Sequence, residues 1–483
     1  MRIAFVALLL AGAACSRGSS PSPASAPGVA TIRSDLNRDE QIDHALNRLS
    51  YGPRPGDAQR VRSMGLERWI AAQLAPESID DRRADSLLGR YATLGLATAD
   101  LTAAQRQIRV ARQQGDTARL MAQQNIDLRT LNLAVVEVAS AKLTRAVASE
   151  RQLYEQMVDF WENHFSVFAG KGQTRLFVPA YDRDVIRPLA MGKFRDLLGA
   201  VAKSPAMLFY LDNAQSVADS SHRTLAEVRR GNVVARQRPR RGLNENYARE
   251  LMELHTLGVD GGYAQQDVIE VARALTGWGI DPQSGAFVFR PAAHDADKKI
   301  VLGRHLMANR GIEDGEEVLD ILASHPSTAR FITTKMVVRF VSDSAPQALV
   351  ERCAAVFRRS EGDIRRTLQC VVTSPEFFSR AAYRAKVKTP FELVASALRA
   401  TDAAPDDTPR SAQIVARLGQ PIFGRQTPDG WPDVGGEWMN AGAMMNRVNF
   451  AIALAERRLP GVRVGPVGDA VAQRLASPDF QRR

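Results

Sequence analysis

One short stretch of the chain concentrates ionisable side chains. "NENYARELMELHTLGVDGGY", residues 244–263, holds three glutamates, an arginine and a histidine within about one helix length. On a helix of about 100° per residue, Glu245, Arg249 and Glu253 share one face, and Glu250 lies beside them. The spacing of four residues allows ion pairs from Arg249 to both glutamates, as on an ordinary solvated helix face. If that face is enclosed, its acids must instead be paired, protonated or bound to a cation.

The remaining residues of this stretch are interpreted more plainly. The same helical spacing places Thr256 with the acids and His255 on the apolar side. A histidine on an apolar face is more often a core residue than a ligand, so we assign His255 to the core. Gly258 is a natural residue to end the helix. The turn that follows matches no phosphate-binding fingerprint.

Two other polar clusters could complete a site with these acids. "FWENHF" places His164 beside Glu162 and Asn163 at the end of a long helix, and "RPAAHDADKK" places His294 and Asp295 in a loop. Histidine and carboxylate ligands suit a divalent metal such as zinc, iron or manganese. The sequence has no HExxH motif, so a metal site would have to be assembled from separate segments. We predict two sets of site residues. The catalytic residues are Glu245, Arg249, Glu250 and Glu253. The metal ligands are His164, His294 and Asp295.

Other chemistries have less support. There is no G-x-S-x-G elbow for a serine nucleophile and no C-x-x-C-H motif for attached haem. The Pro/Gly-rich segment "QPIFGRQTPDGWPDVGGEWMN" carries Trp431 and Trp438. These aromatic side chains could stack on a sugar ring or a partner, but we prefer the interpretation that they cover the helical core.

The elements that must position these residues are helices. Apolar residues recur at helical spacing along nearly the whole chain, which predicts a mainly α fold: one large multi-helix domain with at most a small β-hairpin at "GAFVFRP". The stretch 98–150 is interrupted at Gly115 and predicts two long helices that could form an antiparallel arm. With 45% hydrophobic and 24% charged residues, the 483-residue chain has the composition of a globular protein with a large core.

The first residues predict export. "MRIAFVALLLAGAAC" contains one arginine, a short apolar run, small residues and then Cys15, which are the proportions of a signal peptide. Its end resembles the lipobox of bacterial lipoproteins, although Gly12 stands where leucine is usual. We assign residues 1–15 to the signal peptide and 16–35 to a Ser/Pro/Ala tether. We expect an exported protein of the bacterial cell envelope, anchored to the membrane by an N-terminal lipid and facing the periplasm; ordinary cleavage nearby is the alternative.

The rest of the chain divides into a helical domain at 36–460, which contains an arginine-rich insert at 217–242, and a C-terminal tail at 461–483. The net charge is +11, and seven arginines lie between Arg223 and Arg241. Because that stretch has no aromatic residue for stacking on bases, we expect no nucleic-acid partner. We predict that it is exposed and poorly ordered. Cys353 and Cys370 could form a disulfide or remain two separately buried thiols.

Several of these motifs together resemble one family. "MVDFWENHFSVF", "SPAMLFYLDN", the central block around "NENYARELMELHTLGV" and "HDADKKIVLG" are similar to the bacterial family called domain of unknown function 1800. The resemblance extends from about Leu46 to Leu459. It implies an exported or envelope-associated, mostly helical protein, and it brings no established reaction. Members of that family often lie beside genes of the exported domain of unknown function 1501 family, which is similar to the alkaline phosphatase superfamily.

Two functions therefore stay open. One is a metal-assisted envelope enzyme whose site is a cleft of acids and histidines. The other is a non-catalytic accessory or assembly partner of the exported phosphatase-superfamily-like protein. A concave acidic-histidine pocket would favour the first.

Overall fold

A computed structural model describes residues 32–115, 117–231, 242–406, 408, 410–465 and 469–483. The predicted signal peptide, most of the predicted tether and residues 232–241 of the arginine-rich insert lie outside the described residues. Within the described part, no helix is long and apolar enough to span a bilayer.

Helices dominate the described residues, as the sequence predicts. The α-helices are α1 Arg38–Leu49, α2 Asp57–Met64, α3 Leu66–Leu74, α4 Arg82–Leu88, α5 Thr98–Gln113, α6 Thr117–Ala148, α7 Gln152–His164, α8 Thr174–Ala180, α9 Phe194–Lys203, α10 Pro205–Tyr210, α11 Leu225–Arg229, α12 Glu245–Met252, α13 Gln265–Ala274, α14 Ile312–Ser324, α15 Pro326–Phe340, α16 Gln347–Arg359, α17 Ile364–Val372, α18 Pro390–Ala400, α19 Ala412–Arg417, α20 Ala441–Ala455 and α21 Asp469–Ala476. Two π-helical turns lie at Tyr181–Ile186 and Glu253–Leu257, and 3₁₀ turns lie at Pro76–Ser78, Arg187–Leu189, Asn213–Gln215 and Gly435–Trp438.

The β-structure of the described residues is limited to three antiparallel pairs of short strands. They are β1 Trp278–Ile280 with β2 Phe287–Phe289, β3 Lys299–Val301 with β4 Arg304–Leu306, and β5 Ala404–Pro405 with β6 Val462–Arg463. Trp278 lies opposite Phe289 in the first pair, so "GAFVFRP" is one strand of a hairpin, as predicted. The mainly α fold class is confirmed.

The main core forms around α7, because this helix is buried on most of its circumference. Leu153, Met157, Phe160 and Trp161 are buried and recur at helical spacing. A smaller second core joins the end of α6 to α18, α19 and α20. The predicted pair of long helices at 98–150 is present as α5 and α6, with Gly115 in the left-handed conformation (φ 65°) at the break. The last turns of α6 are buried in the second core, so the pair does not project from the fold along its full length.

The start of the arginine-rich insert corrects our prediction. Leu225 is buried, and Thr224 caps α11 through a capping box with Glu227. The backbone of Thr224 also pairs with that of Asp295. Residues 217–228 are therefore largely packed, because a capped helix and a buried leucine hold them in place, whereas Arg229, Arg230 and Gly231 are exposed as predicted. The rest of the predicted exposed stretch lies outside the described residues.

The chain end is likewise packed. Within the segment set apart as a C-terminal tail, α21 is formed and Arg483 is buried. The backbones of Arg483 and Lys386 exchange two hydrogen bonds, and the amide of Lys388 donates to the carbonyl of Gln481 (2.9 Å). The segment thus holds the residues that precede α18 in place. Elsewhere, Cys353 and Cys370 are joined by a disulfide between α16 and α17, which decides the alternative that the sequence left open.

Candidate functional site

The acidic face of α12 lies at a half-buried surface. Glu245, Arg249, Glu250 and Glu253 are all partly exposed. Arg249 donates to the side-chain amide oxygen of Gln265 (2.8 Å), and the amide nitrogen of Gln265 donates to Glu245 (2.7 Å). The predicted ion pairs from Arg249 to the glutamates are therefore replaced by a bridge through a neutral glutamine.

The last two acids of this face have different surroundings. Tyr263 donates its hydroxyl hydrogen to Glu253 (3.0 Å). The pKa of Glu250 is raised by partial burial, and then by the neighbouring charges of Glu253 and Asp429. This face is thus polar and partly enclosed, but its partners are an amide and a phenol and not the predicted histidines.

A π-helical turn explains why the helical wheel was wrong at the end of this stretch. From Glu253 to Leu257 the chain is π-helical, which advances each residue by less than 100° and shifts the faces. Thr256, which we predicted to lie with the acids, is fully buried and donates its hydroxyl hydrogen to the carbonyl of Leu251 (2.7 Å). His255 is buried in the core as predicted, and burial lowers its pKa to about 3.

His164 lies in the core as well. Its Nε2 is 3.1 Å from the backbone carbonyl of His255, and its ring contacts that of Phe165, with 4.5 Å between centroids. Burial lowers its pKa well below the ordinary value, followed by the charge of Lys335. A neutral histidine packed among aromatic rings, with one nitrogen directed at a backbone carbonyl, is a structural residue, and the predicted role of His164 as a metal ligand lacks a partner carboxylate here.

The predicted loop residues His294 and Asp295 lie in a third place and are completely buried. The His294 ring has Nδ1 2.8 Å from the carbonyl of Thr276 and Nε2 3.4 Å from Asp314. Asp295 accepts a hydrogen bond from Nε of Arg273 (2.8 Å). These contacts tie the loop before β3 to α13 and α14.

Next to this loop, three side chains of the described residues lie close enough together to hold a metal ion. One ligand atom each of His222, Asp295 and Asp297 lies within 4.8 Å of the others. However, Arg273 already neutralises Asp295, and Arg223 lies 3.3 Å from Asp297. A divalent cation would have to displace or oppose two guanidinium groups, so the donor set fits an ion-pair cluster better than a metal centre.

The predicted site residues are consequently not brought together. The α12 acids lie at a half-buried surface, His164 lies in the main core, and His294 and Asp295 lie in a buried loop with their own partners. What the structure assembles instead is a group centred on Glu162, the neighbour of His164 in the "FWENHF" motif.

The centre of this group is a lysine between two carboxylates. Lys142 on α6 places its Nζ 2.6 Å from Asp159 and 2.6 Å from Glu162, which are one turn apart on α7. All three side chains are largely or fully buried. Such a pair of carboxylates and a lysine is stable in the interior only when their charges are compensated.

The charges that compensate these buried acids come from several helices. Arg339 on α15 contacts Asp159 (2.7 Å), Glu392 on α18 (3.2 Å) and Asp433 (3.4 Å). Arg483 lies 2.8 Å from Glu392. We call the connected set the enclosed charge cluster; its cations are Lys142, Arg145, Arg187, Arg339 and Arg483, and its acids are Glu155, Asp159, Glu162, Asp182, Glu392 and Asp433.

The cluster as defined has six acids and five cations, and its acids differ in how readily they hold a proton. Glu162 and Asp182 are both buried and lie close enough for their negative charges to oppose each other, so the two carboxyl groups are not both ionised without cost. Burial raises the pKa of Glu162 to about 8; Lys142 opposes this effect and Asp182 adds to it. The pKa values of Asp159 and Asp182 remain lowered, because the neighbouring lysine and arginines outweigh burial. At neutral pH the proton therefore lies on Glu162.

Asp159, Glu162 and Lys142 line a narrow pocket of about 40 Å³. Aromatic side chains also line this pocket. The rings of Phe391 and Phe423 lie 5.2 and 5.9 Å from Nζ of Lys142, and Trp431 also lines the pocket.

The loop that carries Gly430 and Trp431 is fixed to α7 next to Asp159 and Glu162. The side chain of Asn163 donates to the carbonyl of Trp431 (2.8 Å) and accepts from its amide (2.7 Å). Gly430 has φ 76°, and a Cβ there would lie 2.2 Å from the backbone oxygen of Asn163. The loop thus needs glycine at this position. Trp431 lines a pocket, contrary to our preference for a core-covering role, whereas Trp438 is buried.

The sequence contained only part of the signal for this pocket. Glu162 and Asn163 were noted in "FWENHF", and Asp159 lies three residues before Glu162, which places both acids on one side of a helix. Lys142 and Arg339 belong to helices that are distant in the sequence. No motif connects them to α7, so they could not be found without the tertiary structure.

Comparison with known proteins gives one result. A family model described as "Protein of unknown function (DUF1800)" matches residues 44–483, which is nearly the whole chain. The match agrees with the resemblance of the central motifs. No curated protein and no solved structure matches the chain.

Proposed function

The chain belongs to this family of proteins of unknown function, and from the pocket at the enclosed charge cluster we propose that it is an enzyme that hydrolyses glycosidic bonds. In this proposal Glu162 is the general acid, and Asp159 is the carboxylate that faces the reacting carbon. The observation that carries the proposal is the pair itself. Two carboxyl groups on one turn of α7 share a pocket wall, and their surroundings keep one protonated and the other ionised.

The two groups have complementary roles. Glu162 donates its proton to the leaving-group oxygen, while the negative charge of Asp159 stabilises or captures the positively charged sugar carbon. Both acids contact the same Nζ at 2.6 Å, so the contacting oxygens can be at most twice that distance apart. This fits the spacing of roughly 5 Å in enzymes that retain configuration through a glycosyl–enzyme intermediate. Water then releases the sugar and returns a proton to Glu162.

Lys142 and the aromatic wall support this assignment. The lysine charge keeps Asp159 ionised in spite of its burial. Trp431, Phe391 and Phe423 offer flat apolar surfaces against which a sugar ring can pack. A neutral or weakly charged polysaccharide of the cell envelope is the substrate class that these walls fit.

The test uses the purified full chain with envelope polysaccharides and a panel of aryl glycosides. Glu162→Gln should reduce kcat by a factor of about 10²–10⁴, the usual contribution of a positioned acid. Glutamine has the charge and nearly the shape of a protonated glutamate, so the fold should persist. Asp159→Asn should reduce kcat to a similar degree, whereas Glu250→Gln, on the half-buried surface of α12, is the matched control and should retain activity.

Two outcomes would contradict the proposal: no cleavage of any glycoside, or full activity of the Glu162→Gln variant. A chelator arm addresses metal-assisted catalysis. Activity that is lost with a chelator, restored by a divalent metal and abolished by Asp295→Asn would instead favour a metal centre. Its ligands would be His222, Asp295 and Asp297, of which Asp295 is one of the metal ligands predicted from the sequence. Elemental analysis of protein purified without chelators would then identify the metal.

An accessory function is the second candidate, and one surface favours it. On α20 the side chains of Met445, Val448 and Ile452 are 68%, 39% and 41% exposed, and they follow each other at helical spacing. The exposed side of this helix carries no charged residue. An uncharged apolar stripe of this kind is typical of a protein–protein contact, and the occupant that we propose is an exported protein of the domain of unknown function 1501 family.

Co-purification with that protein tests the contact. Met445→Asp together with Ile452→Asp should weaken binding at least tenfold, because charges would be buried without partners. Val259→Asp is the control, since Val259 is equally exposed on a different surface. Unchanged binding of the double variant would remove this surface from consideration.

We propose finally that the protein acts in the bacterial cell envelope, attached by a lipid on Cys15 and facing the periplasm. The support is the signal-peptide pattern and the lipobox-like end of "MRIAFVALLLAGAAC". Mass spectrometry of the mature protein should find an acylated N-terminal cysteine. A mature chain that begins beyond Cys15 would contradict the anchor.

A further inference from the structure

A second pocket lies on the other side of α18. Thr389 and Phe391, at the start of this helix, line the pocket at the enclosed charge cluster. Lys388, just before the helix, and Ser396, in its second half, line a separate pocket of about 230 Å³. This second pocket has no part in the proposed glycosidase function.

Lys388 and Ser396 form a close pair in this pocket. Nζ of Lys388 lies 2.8 Å from Oγ of Ser396, and both residues are almost completely buried. The ring centroid of Phe480 lies 3.9 Å from the same Nζ. The contact is fixed, because the backbone of Lys388 is held by Gln481 and by the guanidinium of Arg447.

The surroundings of the lysine favour its neutral form. Asp43 on α1 and Glu392 on α18 face it and stabilise the charged form, while Arg474 on α21 and Arg483 at the chain end oppose the charge. Burial outweighs the carboxylates and lowers the pKa of Lys388 to about 7. At neutral pH a large fraction of the amine is therefore uncharged. It can then accept a hydrogen bond, and a proton, from the serine hydroxyl.

The entrance of the pocket is rich in arginine. Arg384 contacts Asp43 (3.4 Å) and Asp479 (3.6 Å). Arg474 and Arg482 also line the pocket, and neither has a carboxylate within ion-pair distance among the residues that the structure describes. The entrance therefore has surplus positive charge, which suits a substrate with an anionic group.

We propose that Ser396 and Lys388 are a nucleophile and its general base, and that this pocket carries out acyl transfer from anionic esters. Ser396 Oγ attacks the ester carbonyl carbon while neutral Lys388 takes the hydroxyl proton. The tetrahedral intermediate then expels the alcohol, which receives that proton from the Lys388 ammonium. Water, deprotonated by the same amine, attacks the acyl-serine, and the acid product leaves with Ser396 restored.

The pair is a Ser–Lys version of the nucleophile–base arrangement. The absence of a G-x-S-x-G elbow argued against a serine nucleophile. That motif describes a turn between a strand and a helix, whereas Ser396 lies within a helix and obtains its base from the residue eight positions earlier. The spacing has no known sequence signature, so only the structure brings the two side chains together.

The decisive experiment treats the purified full chain with an alkyl fluorophosphonate and locates the adduct by peptide mass spectrometry. The serine oxygen displaces fluoride, so a phosphonylated Ser396 is expected. Ser396→Ala should lose the adduct. Ser374→Ala is the control: Ser374 is buried but does not line this pocket, its hydroxyl donates to the carbonyl of Val371 (2.8 Å), and its removal should leave labelling unchanged.

The pH dependence of labelling tests the base. The rate should rise with pH and reach half its maximum near pH 7, as Lys388 loses its proton. Lys388→Met should slow labelling at least 100-fold. Because this variant removes a buried group and could unfold, the pH profile of the unsubstituted chain serves as the second arm.

A charged substrate tests the arginines. The monosuccinate ester of nitrophenol should be cleaved at least tenfold faster than the acetate ester, and Arg474→Ala with Arg482→Ala should remove that preference. A folded protein without adduct on Ser396, or a labelling rate that does not change between pH 5 and 9, would overturn the proposal. Loss of the glycosidase activity in Glu162→Gln would leave labelling of Ser396 intact, so the two proposals fail separately.

Discussion

The enclosed charge cluster and the acidic face of α12 are built from the same residue types, yet they differ in every physical respect. In the cluster, Lys142 lies 2.6 Å from each of two buried carboxylates. On α12, Arg249 reaches the surface and donates to the neutral side chain of Gln265. In the first region, the charges are largely buried, and burial raises the pKa of Glu162. In the second region, water can solvate each charge.

This difference shows that the density of ionisable residues in a sequence does not identify a site. The "NENYARELMELH" stretch is dense in charge, yet its charged side chains lie at a half-buried surface. The cluster assembles its charges from helices that are far apart in the chain, and burial gives them unusual properties. Four measurements can break or sharpen this comparison.

The largest effect is expected from removing one charge in each region. Lys142→Met should lower the free energy of unfolding by about 3–5 kcal/mol, because it leaves buried carboxylates without their cation. Arg249→Met should cost less than about 1 kcal/mol, because its partners remain solvated. Urea denaturation at neutral pH gives both values. Equal losses would mean that the two regions do not differ in the way described.

A disulfide away from both regions provides a scale for these losses. Cys353 and Cys370 close a loop with a sequence separation of 17 residues. Replacing both by alanine should lower the free energy of unfolding by about 3 kcal/mol, from the entropy of the freed unfolded chain. Denaturation of the oxidised, reduced and double-alanine proteins measures it. If reduction leaves the free energy of unfolding unchanged, the disulfide does not contribute to stability and cannot serve as a reference for the other losses.

The raised pKa of Glu162 predicts that the stability of the protein depends on pH. The pKa of Glu162 is about 8 in the folded protein and 4.5 in its ordinary state. The contribution of protonated Glu162 to the free energy of unfolding is therefore complete below about pH 4.5. It is lost as the pH rises towards 8, at roughly 1.4 kcal/mol per pH unit at most. Glu162→Gln should lack this decline, while Glu250→Gln should keep it.

The same comparison removes a background effect. His164 and His255 are buried with lowered pKa values, so their contribution to stability is lost as the pH falls below 6.5. That loss should be the same in the protein and in both glutamine variants, and the difference between unfolding curves at pH 5.5 and 7.5 isolates Glu162. A Glu162→Gln variant with the unchanged decline would place the proton elsewhere.

The smallest effect concerns the α12 face. Tyr263→Phe removes the hydroxyl that donates to Glu253. We expect a loss of less than about 1 kcal/mol, because water can replace the phenol at a partly exposed carboxylate. Thermal denaturation with Tyr383→Phe as a control, another tyrosine that donates to a partly exposed aspartate, measures it. A loss as large as that of Lys142→Met would show that this face is tightly enclosed after all.

Much of the fold could be predicted from the sequence, because the signals are local. Apolar spacing of 3–4 residues identified the helices, and the break at Gly115 separated α5 from α6. The error at Thr256 has a local cause of a different kind. A π-helical turn from Glu253 to Leu257 changes the angle per residue, and no residue type in the stretch signals such a turn.

The site was predicted less well, and the reason is distance along the chain. The "FWENHF" motif contained Glu162, but its partners are Lys142 on α6, Asp182 on a π-helical turn and, through Asp159, Arg339 on α15. Conversely, His164 and Asp295 have side chains that can bind a metal, but they lie in different parts of the core. His164 contacts the carbonyl of His255, and Asp295 pairs with Arg273.

By itself, the amino-acid sequence determined the family, the mainly α fold and the positions of most helices, since hydrophobic periodicity and local motifs depend only on neighbouring residues. The tertiary structure decided which carboxylates lose their water and which cations reach them. That decision raises the pKa of Glu162 and lowers that of Lys388, because a pKa depends on burial and on charges within a few ångströms, and these belong to segments that only folding brings together.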